Sequence, residues 1–153
     1  MDLDDTDRRI LAVLQDNGRI SNVELAERVG LSPSPCLARV RGLERSGLIR
    51  GYVALVDPGR VGLGVSVFIQ VSLEKQVGRA LDTFESAMTA MPEVMECYLM
   101  TGDSDYMLRV LVEDVAALQR FIVDKLSKVP GVASIRSSFA LKQVKFKTAV
   151  PVR

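Results

Sequence analysis

Two groups of residues in this chain have types and spacings suited to chemistry. The first is a run of arginines. Arg28, Arg39, Arg41, Arg45 and Arg50 face a single acid between them, Glu44, which gives that segment a local charge of +4 in a chain of formal net charge +1. Guanidinium groups pair with phosphates and, bidentately, with guanine, so a concentrated basic segment suits DNA. It also suits a solvated face on a small helical bundle. The second group is Thr101-Gly102-Asp103-Ser104-Asp105-Tyr106, where two carboxylates flank one serine. Such carboxylates can hold an ammonium group while amides around a glycine hold a carboxylate. Gly, Asp and Ser are equally the residues of a tight turn.

Other chemistries are disfavoured by what the chain lacks. There is no histidine, which removes the Ser-His-Asp and Cys-His forms of nucleophilic catalysis and the commonest general base near neutral pH. No catalytic residue is assigned, and a small enzyme built on Asp103 and Asp105 would lack a basic partner. Cys36 and Cys97 match no paired metal-ligand spacing and read as buried structural thiols, so no metal site and no cofactor are expected. The acidic start has no apolar stretch of a leader, and no segment approaches the ~20 apolar residues that span a bilayer. A cytoplasmic chain with no membrane partner is expected.

The arginines must be carried by helices. Apolar Ile10, Leu11 and Leu14 share one helical stripe between Asp4 and Asn17, with Asp4 or Asp5 as N-cap and Gly18 just past the end. Ser21 and Glu24 have capping-box spacing, with Ile20 and Leu25 as a hydrophobic staple, so a second helix runs from Ser21 to about Val29 and ends at Gly30. Ser32 is expected to cap a third helix over about Pro33 to Ser46, with Pro33 in its first turn. On that helix Cys36, Leu37, Val40 and Leu43 gather on one side. Ser34, Ala38, Arg41, Gly42 and Arg45 gather on the other, with Arg39 at its flank. Two helices joined by a tight glycine-containing turn, the second basic on its outer face, form a helix-turn-helix. The candidate DNA contacts are Ser32, Ser34, Pro35, Ala38, Arg39, Arg41 and Arg45.

The second group needs a sheet. Residues 48–56 read as a strand or strand pair ending in Asp57-Pro58-Gly59 turn chemistry. Beyond it the pattern is strand 64–74, helix 77–90, strand 94–101, strand 105–112, helix 115–128 and strand 132–144. The two halves are alike: Ser66–Glu74 aligns with Asp105–Glu113 at an offset of 39 residues, and Met91-Pro92-Glu93-Val94 with Val129-Pro130-Gly131-Val132 at 38. A duplicated βαβ unit of this length predicts a ferredoxin-like antiparallel sheet with both helices on one face. Val65, Val67, Ile69, Val71 and Leu73 should meet the helices, and Phe68, Tyr98, Met100, Met107 and Leu111 should lie on the opposite face. That much open apolar surface predicts a homodimer. The expected fold is therefore α+β, with a helix-turn-helix domain over 1–49, a linker strand over 50–62 and a βαββαβ domain over 63–153.

Several ordered motifs make the whole chain resemble the Lrp/AsnC (feast/famine) transcription regulators. They are Asp7-Arg8-Arg9-Ile10-Leu11, Gly18-Arg19-Ile20-Ser21-Asn22-Val23-Glu24-Leu25-Ala26, Gly30-Leu31-Ser32-Pro33-Ser34-Pro35-Cys36-Leu37, Gly51-Tyr52, Thr101-Gly102-Asp103 with Asp105-Tyr106, and Leu126 to Val132 with Pro130-Gly131. The resemblance implies a winged helix-turn-helix reader of double-stranded DNA, a ferredoxin-like (RAM/ACT-like) effector domain, and dimers that assemble further, often to octamers. It implies a small amino acid bound between dimers, with contacts around Thr101, Gly102, Asp103, Asp105 and Tyr106, and Ser137 and Ser138 on the last strand. Ala38 and Gly42 depart from it, standing where the family's recognition helix commonly carries arginine. The function this predicts is an amino-acid-responsive transcriptional regulator; the alternative is a DNA-organising oligomer that takes no ligand.

Overall fold

In the computed structural model, which describes residues 3–152, the chain divides into two compact units. One comprises the residues up to Leu55 together with those from Val144 onward; the other is Val56–Gln143. Among the described residues no helix is long and apolar enough to cross a membrane, and no cluster of three or more acidic or cysteine side chains could hold a metal ion.

The first unit is built on α1 (Asp5–Asp16), α2 (Asn22–Val29) and α3 (Pro33–Arg45). The first two helices start as their sequences predict. Asp4 caps α1 by accepting from the Asp7 amide at 2.8 Å, with the Asp7 carboxylate reaching back to the Asp4 amide, and Ser21 and Glu24 do the same for α2. Gly30 ends α2 at φ 73°, the left-handed conformation that lets the Leu31 amide reach back to the Ala26 carbonyl at 2.9 Å. Ile10, Leu11, Leu25, Ala26, Val29, Cys36 and Leu43 form the core between these helices. Leu37, expected in it, is 37% exposed.

Ser32 does not cap α3: its hydroxyl makes no capping hydrogen bond. An N-cap oxygen accepts from the amide two or three residues on. Here the third position is Pro35, which has no N–H, so the sequence that looks like a cap has removed the usual donor.

Two boundaries fall elsewhere than the sequence predicts. The strand expected within 48–62 does not form: the one regular element there is a 3-10 turn at Gly59–Val61, and Val53, Leu55 and Val56 stand open to solvent. A strand needs a neighbouring edge to bond, and none among the described residues pairs with this segment. At the other end β4 stops at Phe139 rather than 144, and the residues from Val144 group with the helices instead of the sheet. The Gln15 side chain clamps the backbone of Val150, donating to its carbonyl at 3.0 Å and accepting from its amide at 2.7 Å, and Val152 packs on the helical core.

The second unit contains β1 (Val65–Leu73), α4 (Gly78–Ala90), β2 (Val94–Leu99), β3 (Tyr106–Val112), α5 (Val115–Arg120) and β4 (Val132–Phe139). The strands pair antiparallel in the order β2-β3-β1-β4, the ferredoxin-like arrangement that the internal repeat predicts. Val67, Ile69, Val71, Leu108 and Val110 pack with Phe84, Met88, Leu118 and Phe121 from the helices. The predicted continuous helix over 115–128 is broken in character: α5 passes into a π-helical turn at Phe121–Lys125 and a 3-10 turn at Leu126–Lys128. A π turn hydrogen-bonds residues five apart, here the Leu126 amide to the Phe121 carbonyl. It thereby brings Phe121 and Leu126, both buried, to the same core.

Phe68, Tyr98 and Met100 are open on the side of the sheet or edge where the alternation puts them, and Met107 is half-buried. Leu111 is only 8% exposed, not displayed there. It lies beside a bulge at Met95, donates its amide to the Glu93 carbonyl, and shares a shallow depression with Leu63.

Candidate nucleic-acid interface and ligand-binding hairpin

On α3, Ser34, Ala38, Arg41 and Arg45 recur at intervals of four, three and four, so they form a single row, and all four are exposed. Ser32 and Pro35 are exposed at the start of the same helix. Arg39 is different. Its Nη1 donates to Asp4 Oδ2 at 2.7 Å and to Asp7 Oδ1 at 2.8 Å, so its charge is met within the protein. The Asp4 carboxyl is held below its ordinary range first by the Asp7 amide and then by Arg39, and the Arg39 guanidinium is correspondingly raised. Glu44, the sole acid of the basic segment, accepts from the Tyr52 hydroxyl at 3.1 Å. Gly18 packs closely on Tyr52: an added Cβ would lie 3.2 Å from the ring, so the ring would have to shift by a few tenths of an ångström.

The turn between α2 and α3 has its own fastening, which sequence reasoning missed. Asn22, the first residue of α2, donates from Nδ2 to the Pro33 carbonyl at 2.9 Å, and so joins the starts of the two helices. Asp4 was legible as a cap, but neither it nor Asp7 was legible as the partner of an arginine more than thirty residues away. Nothing in local spacing encodes such a pairing.

At the hairpin between β2 and β3 the five predicted residues separate into two environments. Thr101, Gly102 and Asp103 are exposed, with Gly102 at φ 111°. Asp105 and Tyr106 are buried and already engaged. The Asp105 carboxylate accepts from the Leu73 amide at 2.6 Å and from the Gln76 side chain, and its own amide bonds the Val71 carbonyl at 3.0 Å. It fastens the end of β1 rather than offering a free charge.

Tyr106 donates to Glu85 Oε1 at 2.7 Å and its ring lies 4.5 Å from that of Phe84. Burial, then the Glu85 carboxylate, raises its phenol well above the ordinary value. Tyr106 and Glu85 border a cleft of about 450 Å³ between α4 and β2, onto which Cys97 also opens. Cys97 is therefore not the buried thiol expected, because β2 is an edge strand with no neighbour beyond it. Enclosure by the cleft walls, with the Glu85 charge second, pushes its thiol up to about 11. Cys36 is buried as expected.

Ser137 and Ser138 do not join the hairpin within one chain. On β4 they pair with Ile69 and Phe68, whereas the hairpin end of β3 pairs with Val71. With β1 intervening, two strand spacings of roughly 10 Å lie between β4 and β3. Adjacent strand residues also point to opposite faces, so the two serines serve different sides of the sheet.

Known proteins match this arrangement unit by unit. Residues 3–50 match a model described as winged helix-turn-helix DNA-binding, and residues 66–150 match the Lrp/AsnC ligand binding domain. The chain belongs to the Lrp/AsnC family. It is 50% identical over 151 residues to the Bkd operon transcriptional regulator of Pseudomonas aeruginosa, with 99% of each chain covered. It is 44% identical over 144 residues to the leucine-responsive regulatory protein of Escherichia coli K12, covering 94% of this chain and 88% of that one. Among solved structures, a Neisseria meningitidis transcriptional regulator in complex with L-Met superposes with a TM-score of 0.94 at 45% identity, over 98% of this chain and 97% of the other. E. coli AsnC superposes at 0.86 with 29% identity, over 97% and 99%. This Lrp/AsnC member is accordingly a transcriptional regulator with a DNA-binding helix-turn-helix and a ligand-binding α+β domain.

Proposed function

We propose that this regulator reads double-stranded operator DNA with the exposed row of α3 and responds to a small amino acid held at the hairpin between copies of the chain. The observation that carries the reading half is the row Ser34, Ala38, Arg41 and Arg45, open along one face with no carboxylate among the described residues paired to either arginine. Arg41 and Arg45 supply phosphate or guanine contacts. Ser32 and Ser34 meet the backbone at the helix start, where prolines leave the hydroxyl of Ser32 uncommitted, and Pro35 packs beside them.

On the ligand side, Thr101, Gly102 and Asp103 are free to engage an effector, Asp103 taking the ammonium group and the loop amides the carboxylate. Asp105 and Tyr106 hold that loop in place, and Ser137 and Ser138 come from a neighbouring copy. The relatives named for leucine and solved with L-Met support an apolar amino acid as the effector class. The open apolar sheet face supports a homodimer, and further assembly to an octamer would create the between-copy site. We further propose that the protein needs no cofactor, works in the cytoplasm where its DNA is, and catalyses no reaction.

The test is a panel of amino acids scored together by DNA binding and by mass in solution. An apolar amino acid should shift both. If none shifts either, and the footprint has no sequence preference, the protein is a DNA-organising oligomer instead. Arg41→Ala and Arg45→Ala should each weaken DNA binding and lower the slope of log affinity against log salt by about 0.9, and unchanged affinity in both would remove α3 from the interface.

A further inference from the structure

Arg39 sits on the recognition helix, yet its chemistry is directed inward. One nitrogen, Nη1, bridges two carboxylates at 2.7 and 2.8 Å. Those carboxylates are not incidental surface acids. Asp4 and Asp7 are the two members of the capping box that starts α1, and the Asp7 side chain is only 6% exposed. The N-terminal cap of α1 and the middle of α3 are thus one polar network, joined across 32 and 35 residues of sequence. Charge-assisted bonds from one nitrogen to two fixed acceptors define direction as well as distance. Other contacts of α3 are the apolar packing of Cys36, Leu43 and Val40, which selects the buried face, the Asn22 bond at its start and the exposed Tyr52–Glu44 bond near its end; the Arg39 bonds add a directional restraint at its middle.

We infer that Arg39 is a positioning residue for DNA reading. Through Asp4 and Asp7 it sets the rotation of the recognition helix about its own axis, which decides where Ser34, Ala38, Arg41 and Arg45 meet the groove, and it neutralises no phosphate itself. This rests on α3 being the reading helix. Rotating that helix misaligns base contacts, which are geometric, far more than phosphate contacts, which are tolerant. Loss of the network should therefore lower discrimination between sequences rather than the general attraction to DNA.

The carboxylates make the inference testable, because removing a negative charge near DNA should otherwise help binding. The probe is a duplex selected by the wild-type protein from a randomised pool, with a scrambled duplex of the same composition as reference. Asp4→Asn is the gentlest variant, since asparagine caps a helix as well as aspartate does. Asp7→Asn and Arg39→Gln probe the other members. All three should reduce the ratio of selected to scrambled affinity by about tenfold, in the range that coupled neighbours show, and the double variant Asp7→Asn with Arg39→Gln should be no worse than either single one. The salt slope of Arg39→Gln should match that of the wild type.

If Arg39→Gln instead lowers that slope by about 0.9 while Asp4→Asn binds both duplexes as tightly as the wild type or tighter, Arg39 is a phosphate contact and the inference fails. A wild-type protein that selects no duplex at all would overturn the reading of α3 itself. Asp4→Asn keeps the experiment decisive even if Asp7→Asn unfolds, since Asp4 is exposed and its capping role survives the change.

Discussion

Asp103 and Asp105 are separated by one serine and look interchangeable as candidates for an ammonium ligand, but burial divides them. Asp103 is exposed, whereas Asp105 is 7% exposed and holds the amide of Leu73. Replacing Asp105 by alanine leaves a buried N–H without its acceptor, at a cost of about 1–3 kcal/mol. Asp105→Ala should lower the melting temperature of the sheet unit by several degrees and disturb ligand binding only through that loosening. Asp103→Ala should leave the melt unchanged and abolish the thermal shift given by the effector. Equal melting of the two variants would remove the division. Spacing brought both carboxylates to the hairpin; it could not distinguish them, because the acceptor role of Asp105 is defined by the end of β1, 32 residues away.

The elements that sequence predicted best are those whose signals are local. The Asp4 cap, the Ser21/Glu24 capping box and the Gly30 turn depend on residues within a few positions of one another, and the βαββαβ order on strand alternation and an internal repeat; they are found as read. One failure is local: Ser32 is a cap by type, but Pro35 removes the amide it would bond. The others depend on partners outside the local pattern: the π turn answers to the core that Phe121 and Leu126 share, and the segment 50–56 pairs with no edge among the described residues. The last residues are the clearest case: they follow a strand in sequence, yet the Gln15 amide imitates a backbone and binds Val150 as a neighbouring strand would. Two hydrogen bonds of this exposed kind, with the packing of Val152, are worth roughly 1–3 kcal/mol together. Ending the chain after Gln143 should therefore speed amide hydrogen exchange across α1, and Gln15→Ala should reproduce part of the effect. Unchanged exchange in the truncated chain would mean that the tail adds nothing to the helical unit.

At the scale of the whole molecule, the proposed dimer through the open face of the sheet would decide how many DNA readers act together. Phe68 is 42% and Tyr98 54% exposed, and both lie opposite the helices that cover the other face. A two-fold dimer would bury each of them twice, because an isologous interface uses the same patch on both chains. Each aromatic side chain buried contributes about 1.5–3 kcal/mol, so a single substitution acts with doubled weight. Phe68→Asp should shift the mass in solution from dimer or larger toward monomer, while α3 and its arginines remain intact. A monomer engages one half-site at a time and loses the effective concentration that a linked second reader supplies. Affinity for a duplex with two half-sites should then fall toward that for one with a single half-site, and the difference between the two duplexes should vanish. If Phe68→Asp keeps the mass of the wild type, the sheet face is not where the copies meet; if it becomes monomeric yet still prefers two half-sites, the readers are not coupled through this assembly.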